Sequence, residues 1–301
     1  MTTGNEQRPR SGRPATPLAR LAAFSVLLAV IAGAAALIGR ASGLEVDEAA
    51  ESAGHDAGGG TAHGAEASAI PAGDGLSDSA SGLRLLIEPT RLSVGAPSRL
   101  KLSIVDRHGE PIGALEAAPG EPPLHLILVR RDLSGYQHLH PTPSGNGYVV
   151  DLALPRPGVW RAYADFEVDS EKVVLGHDLF VPGDFVPQPL PDVVVDARTG
   201  SYDVALGLQE LRIGSDTLRF RIGRSGEPIE ALQPYLGAAG HLVAIRENDL
   251  AYLHVHPLER SAAGRVEFGV DFAEPGRYAL FLQFKHENRV RTTRFTVEVA
   301  P

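Results

Sequence analysis

The chain contains no cysteine, and its only methionine is Met1. The first absence removes disulfides, thiolate zinc sites, iron–sulfur clusters and cysteine nucleophiles together. The second leaves soft Cu(I) chemistry without a thioether as well as without a thiolate. Positive charge is also short. Lys and Arg number 28 against 37 Asp and Glu, for a formal net charge of −9. Nothing here would release phosphate counterions, which excludes nucleic acid as a partner. No G-x-S-x-G, P-loop or dinucleotide fingerprint occurs, and no nucleophile stands beside a base, so an enzyme is not expected. What the chain does have is 33 Gly, 23 Pro and 43% hydrophobic residues in 301 positions. That length allows two domains or one large one, rich in turns and short strands.

The N-terminal region reads as an address. Residues 21–39, LAAFSVLLAVIAGAAALIG, carry no charge. As a helix they would run about 28 Å, close to the roughly 30 Å hydrocarbon core of a bilayer. Arg8, Arg10, Arg13 and Arg20 precede them, whereas only Arg40 follows before acidic residues take over. The positive-inside rule therefore makes 1–20 a cytoplasmic basic segment, 21–39 a single-pass signal anchor in the cell membrane, and the remainder extracytoplasmic. A cleaved signal peptide is the rival reading, but its apolar region is usually shorter. Residues 41–82, built of Ala, Gly, Ser, Asp and Glu with His55 and His63, show no apolar periodicity and read as a disordered tether. A weak metal-scavenging role for those two histidines, near Asp56 and Glu66, competes with that of a plain solvated linker.

From residue 83 onward, short apolar-alternating runs alternate with turn signals, and no stretch keeps a 3.6-residue period. The expected fold class is all-β, two tandem Ig-like antiparallel β-sandwiches. Repeat 1 covers 83–182 and repeat 2 covers 199–299, joined by a stiff Pro-rich linker over 183–198. The two repeats are copies. Gly109–Ile112 matches Gly226–Ile229, His125–Arg130 matches His241–Arg246, Tyr136–Pro141 matches Tyr252–Pro257, and Pro157–Trp160 matches Pro275–Tyr278.

Six of the eleven histidines fall in one repeated spacing, H-x12-H-x-H-P: His125, His138 and His140, then His241, His254 and His256. In a strand, residues i and i+2 share a face, so His138 pairs with His140 and His254 with His256. In copy two, a four-residue loop over Glu247–Leu250 would pair Arg246 with Ala251 and set His241 opposite His256. Facing side chains are then near enough for imidazoles to share one metal. Imidazole suits Cu(II) or Zn(II), so the six histidines are expected to be metal ligands in duplicated sites. The competing reading is a structural or protein-interaction module of the cell envelope, with the histidines buried in the core. Val243, Ile245 and Tyr252 share the proposed face and would suit that reading. Asp165, Glu167, Asp169 and Glu171 alternate and are a weaker calcium candidate against a solvated edge.

With its anchor, its Ig-like repeats and the blocks His138-Leu139-His140-Pro141 and His254-Val255-His256-Pro257, together with His125 and His241, the chain resembles bacterial extracytoplasmic metal-handling domains of the YtkA-like and CopC-like kind. The resemblance covers residues 83–299 in architecture. It implies metal binding or buffering outside the cell membrane, with another membrane metal-handling protein as partner. The chain departs from the CopC-like pattern in two ways. It lacks methionine ligands, and an uncleaved anchor would leave its N-terminal amine in the cytoplasm. The topology is directly testable. A reporter fused after Pro301 is expected to be active outside the cytoplasm, and cytoplasmic activity would reverse the orientation.

Overall fold

The computed structural model describes residues 73–117, 120–207, 210–253, 255–258 and 264–301. The expected anchor at 21–39, the basic segment before it and most of the expected tether lie outside those residues, as does His254. Among the described residues no helix is long and apolar enough to cross a membrane.

The described chain is all β. Copy one holds β1 (Ser79–Ala80), β2 (Leu83–Glu88), β3 (Ser98–Val105), β4 (Leu124–Arg130), β5 (Gln137–Leu139), β6 (Thr142–Ser144), β7 (Gly147–Leu152), β8 (Gly158–Val168) and β9 (Glu171–Val181). Copy two holds β10 (Asp196–Thr199), β11 (Tyr202–Leu206), β12 (Leu211–Arg212), β13 (Gly214–Arg224), β14 (Glu227–Pro228), β15 (His241–Arg246), β16 (Tyr252–Leu253), β17 (Val255–Pro257), β18 (Arg265–Phe272), β19 (Gly276–His286) and β20 (Arg289–Ala300). Copy one packs the sheet β1-β2-β3-β7-β6 on the sheet β5-β4-β8-β9; copy two repeats this as β10-β11-β13-β18-β17 on β12-β20-β19-β15-β16. In immunoglobulin lettering these are ABED and C′CFG sheets, the order of an Ig-like sandwich. Local devices repeat too. β8–β9 and β19–β20 turn through two residues of positive φ, Asp169-Ser170 and Glu287-Asn288, as tight type I′ hairpins require. The Trp160 Nε1–H donates to the carbonyl of Arg156, and the Tyr278 hydroxyl donates to the equivalent carbonyl of Glu274. Asp169, one of the four acidic positions flagged for calcium, is thus a turn residue.

Each sandwich has its own core, built in copy one around Leu100, Leu124, Leu126, Leu128 and Trp160 and in copy two around Phe220, Phe268, Phe272 and Phe295. A third core belongs to neither alone. Ile127, Val129, Tyr163 and Val174 of copy one bury against Val243, Ile245, Tyr252, Ala279 and Phe281 of copy two. The strand runs HLILVR and HLVAIR are apolar on both faces. One face fills the sandwich and the other fills the contact between sandwiches, the signature of a sheet covered on both sides. The contact is reciprocal. Tyr136 stacks on Phe281 with ring centroids 4.3 Å apart, and Tyr252 packs on Tyr163 at 5.3 Å. These are equivalent pairs under the repeat, as a two-fold-related contact demands.

The connecting segments are more ordered than composition suggested. The expected tether ends early, because residues 73–82 are built into the fold. The Gly75 carbonyl accepts from Arg161, Ser77 O accepts the Gly176 N–H, and Asp74 O accepts the Tyr252 N–H of the other copy. Gly75 has positive φ and lies against Tyr163, where a Cβ would stand 2.4 Å from the ring, so only glycine fits. The Pro-rich segment is likewise packed rather than free. Leu190 is buried in the third core, Arg277 donates to its carbonyl, and Val194 pairs with Thr296.

One ion pair anchors this segment to copy one. Arg130 and Asp132 have side chains only 3% and 6% exposed, whereas the corresponding pair of copy two, Arg246–Asp249, is 20% and 35% exposed. Burial alone would raise the Asp132 carboxyl, but hydrogen bonds from Arg130, Ser134 and the Gln188 N–H outweigh it and bring its pKa down to about 2. Removing a partner strands a buried charge in the first pair and little in the second. Asp132→Ala is therefore expected to cost about 3–5 kcal/mol, and Asp249→Ala about 1 kcal/mol or less, by chemical denaturation at pH 7. A depressed carboxyl stabilises above its unfolded value, and that stability is lost as pH falls through its folded value. The gap between parent and Asp132→Ala should accordingly narrow from about pH 4 down toward pH 2.

Candidate metal centre

The histidines occupy the end of the third core. In copy one, β4 pairs with β5 in a register that matches Leu126 with Leu139 and Ile127 with His138. Carried one step further, that register brings His125 level with His140. The chain then leaves this sheet, and Thr142–Ser144 continues in the other one. The H-x-H-P segment is thus the crossing between sheets at the sandwich edge, and Pro143 and Pro257 sit on the edge strands where a missing N–H is tolerated.

Copy two follows the expected register at its start. Arg246 and Ala251 are hydrogen-bonded across a four-residue loop, and Ala244 pairs with Leu253. The ladder does not reach His256, however. Val255–Pro257 has already crossed, and His256 lies opposite Gly269 in the other sheet. The expected pairing of His241 with His256 along one ladder is corrected accordingly.

Instead, His241 meets copy one. Strand alternation puts His125, Ile127 and Val129 on the contact face of β4, and His241, Val243 and Ile245 on that of β15. The rings of His125 and His241 stack across the contact with centroids 5.6 Å apart and planes 3° from parallel. His138 is 4.5 Å from His241 and 5.1 Å from His125, and His140 stands edge-on to both copy-one neighbours at 4.8 and 5.2 Å. One nitrogen from each of His125, His138 and His140 lies within 4.8 Å of the others, the geometry of a possible metal group. Of the six expected ligands, four are therefore gathered in one place, His256 is on the opposite sheet, and His254 is outside the described residues.

Hydrogen bonds set the ring states. Gln283 Oε1 lies 2.7 Å from His138 Nδ1, and the Gln283 amide nitrogen donates to Thr292 Oγ1 at 3.2 Å, which points the amide oxygen at the ring. His138 Nδ1 must donate, so its Nε2 carries the lone pair. That atom is 2.9 Å from His125 Nδ1. The His140 Nε2 is buried and has no hydrogen-bond partner among the described residues. Burial lowers the His138 pKa well below the ordinary imidazole value, and the neighbouring His241 and His125 push the same way. Burial also lowers that of His140. His138 Nε2 therefore accepts the His125 Nδ1–H, and a metal bound by both rings would take the place of that proton between two neutral imidazoles. Two nitrogens on one ion at 2.0–2.1 Å stand about 2.9 Å apart at a right angle and about 3.3 Å apart at a tetrahedral one. The His125–His138 pair already has that spacing, and closure requires His140 to draw in.

Gln283 was not among the expected residues, nor was Asp165 expected to be buried. They occupy equivalent positions, directly across a ladder from His241 and His125. Asp165 accepts the Tyr252 hydroxyl at 2.9 Å. The signal available in the sequence was a polar residue interrupting an apolar strand beside the repeated histidine in both copies.

A histidine with a lowered pKa opposes acid. Below about pH 6.5 the unfolded chain holds protons that the folded His138 and His140 refuse, so stability should fall as pH drops beneath that value. NMR titration of the imidazole rings checks it: His138 should remain neutral at pH 6.

The chain is 14% identical to the Escherichia coli adhesin FdeC over 73% of its own length and 64% of that chain, with a TM-score of 0.25. Against domains 4 and 5 of the S-layer protein SbsC it is 9% identical over 73% of its length and 98% of that chain, at 0.23. Against the bacterial integrin-binding protein invasin it is 10% identical over 71% of its length and 39% of that chain, at 0.21. At such scores the fold rests on the chain's own strand order. No curated protein matches. A family model described as a domain of unknown function (DUF8832) matches residues 78–182 and again 196–301, so the chain belongs to that family and carries its domain twice.

Proposed function

We propose that the protein binds or buffers a divalent transition metal, Cu(II) or Zn(II), on the extracytoplasmic side of a membrane to which residues 21–39 anchor it. The observation that supports this is the convergence of His125, His138, His140 and His241, with ring centroids 4.5–5.6 Å apart at the nearest approaches and His138 Nε2 next to His125 Nδ1. A purely apolar contact between sandwiches has no use for four imidazoles, which repel one another when protonated. A metal ion gives their lone pairs a common partner. The donor set is all nitrogen, which suits Cu(II) and Zn(II) and not Cu(I). Handing the metal to a membrane partner is part of this reading.

The test is calorimetric titration of the full chain with Cu(II) and with Zn(II), together with thermal melts. At free metal 100 times the dissociation constant, stability at pH 7.5 should rise by about 2.7 kcal/mol, and the gain should fade toward pH 5 as protons compete for the rings. The double substitution His138→Ala, His140→Ala should abolish the gain. If metal shifts nothing in the parent while that variant loses about 1–3 kcal/mol without metal, the histidines are structural hydrogen-bonding groups and the metal reading is wrong.

A further inference from the structure

We infer that the metal site is shared between the two copies, with His241 of copy two as a ligand and Gln283 of copy two as the residue that positions His138 of copy one. This rests on the metal reading and adds how the site is completed.

The register dictates the arrangement. β15 and β19 pair His241 directly with Gln283, and alternation puts both on the face that carries Val243, Ile245, Ala279 and Phe281 into the third core. The packing that docks the copies therefore delivers an imidazole and an amide together to the copy-one trio. His241 comes within 4.5 Å of His138 and 5.6 Å of His125, ring centre to ring centre. Gln283 accepts the His138 Nδ1–H at 2.7 Å and is itself held by Thr292. A histidine ligand binds metal through one nitrogen while the other donates outward, and the outward acceptor fixes tautomer and ring angle. Copy one has no such acceptor for His138 in the described structure. Its residue at the position equivalent to Gln283, Asp165, accepts the Tyr252 hydroxyl. Copy one alone thus holds three imidazoles, and copy two makes them a directed site.

The test compares variants of the full chain titrated with Zn(II) and Cu(II). Gln283→Leu cannot accept the Nδ1–H and should weaken metal binding about 10–100-fold. Gln283→Glu can accept it and should restore affinity to within a few-fold of the parent, which a loss of mere packing would not allow. His241→Ala should weaken binding and remove one coordinated nitrogen from the Cu(II) electron paramagnetic resonance spectrum. If Gln283→Leu does not fold, Gln283→Met, nearer in length, takes its place. Parent-like affinity in both Gln283→Leu (or Met) and His241→Ala, with an unchanged Cu(II) spectrum, overturns the shared site and leaves the metal reading standing. A parent chain that binds neither metal overturns both.

Discussion

The site depends on the face-to-face packing of the two C′CFG sheets. Each sheet is apolar on both sides, so each sandwich would be left with a dry, exposed face if it stood alone. Ile127, Val129, Tyr163 and Val174 would be uncovered on one copy, and Val243, Ile245, Tyr252 and Phe281 on the other. Exposed apolar surface of that extent marks a surface that must be covered. The reciprocal stacking of Tyr136 on Phe281 and Tyr252 on Tyr163 fixes how the copies cover each other. His125 and His241 stand next along these same strand faces, so the alignment that satisfies the apolar residues stacks the two imidazoles. The histidine cluster is a consequence of the apolar contact, not a separate feature laid upon it.

The duplication produced a near-symmetric contact whose polar residues have diverged. The repeat relates Gln283 to Asp165, an amide to a carboxylate. A carboxylate on His138 Nδ1 would favour a protonated ring by direct charge attraction. The neutral amide holds the same hydrogen bond and sets the same tautomer without a full opposite charge, and burial with the neighbouring imidazoles outweighs its upward pull and lowers the His138 pKa well below the ordinary value. In copy one the carboxylate at that position accepts the Tyr252 hydroxyl. The equivalent positions therefore carry an amide in one copy and a carboxylate in the other.

Much of the fold was legible in the sequence because alternation and turn residues are local. The runs from Leu83 onward mark the strands, and the block offsets give the repeat. The loop over Glu247–Leu250 correctly pairs Arg246 with Ala251. What was not legible is which partner each face meets. HLVAIR is apolar at every position from Leu242 to Ile245, so period-two reasoning cannot say which face lies inside its own sandwich and which lies against a neighbour. Val243, Ile245 and Tyr252 signalled a core correctly, but it is a core between copies. For the same reason, the meeting of His241 with His125 and His138 across the contact, rather than with His256 along one ladder, could not be read from the sequence. The crossing of Val255–Pro257 into the other sheet was equally hidden, since a ladder read from one hairpin carries no sign of where the strand will leave it. The ordering of residues 73–82 escaped composition because its hydrogen bonds run through the carbonyls of Asp74, Gly75 and Ser77, and the glycine it requires at 75 stands among many glycines in this region.

A ligand that draws groups from two packed units is coupled to their packing. Under the proposed function, the trio His125, His138 and His140 belongs to one copy, while His241 and Gln283 belong to the other. An ion engaging all of them has its full affinity only when the sheets are docked, and by reciprocity it strengthens the docking by the same free energy. The backbone adds to this coupling. Asp74 O accepts from Tyr252 N at the edge of the same contact, so the segment leading back toward residues 1–72 is tied to both copies where they meet. Loss of docking would therefore release three things together: the copy-two imidazole, the acceptor that orients His138, and the Asp74 backbone contact to Tyr252. A site inside a single sandwich would have no such connection. Placing it at the contact makes metal occupancy and the alignment of the two sandwiches parts of one equilibrium.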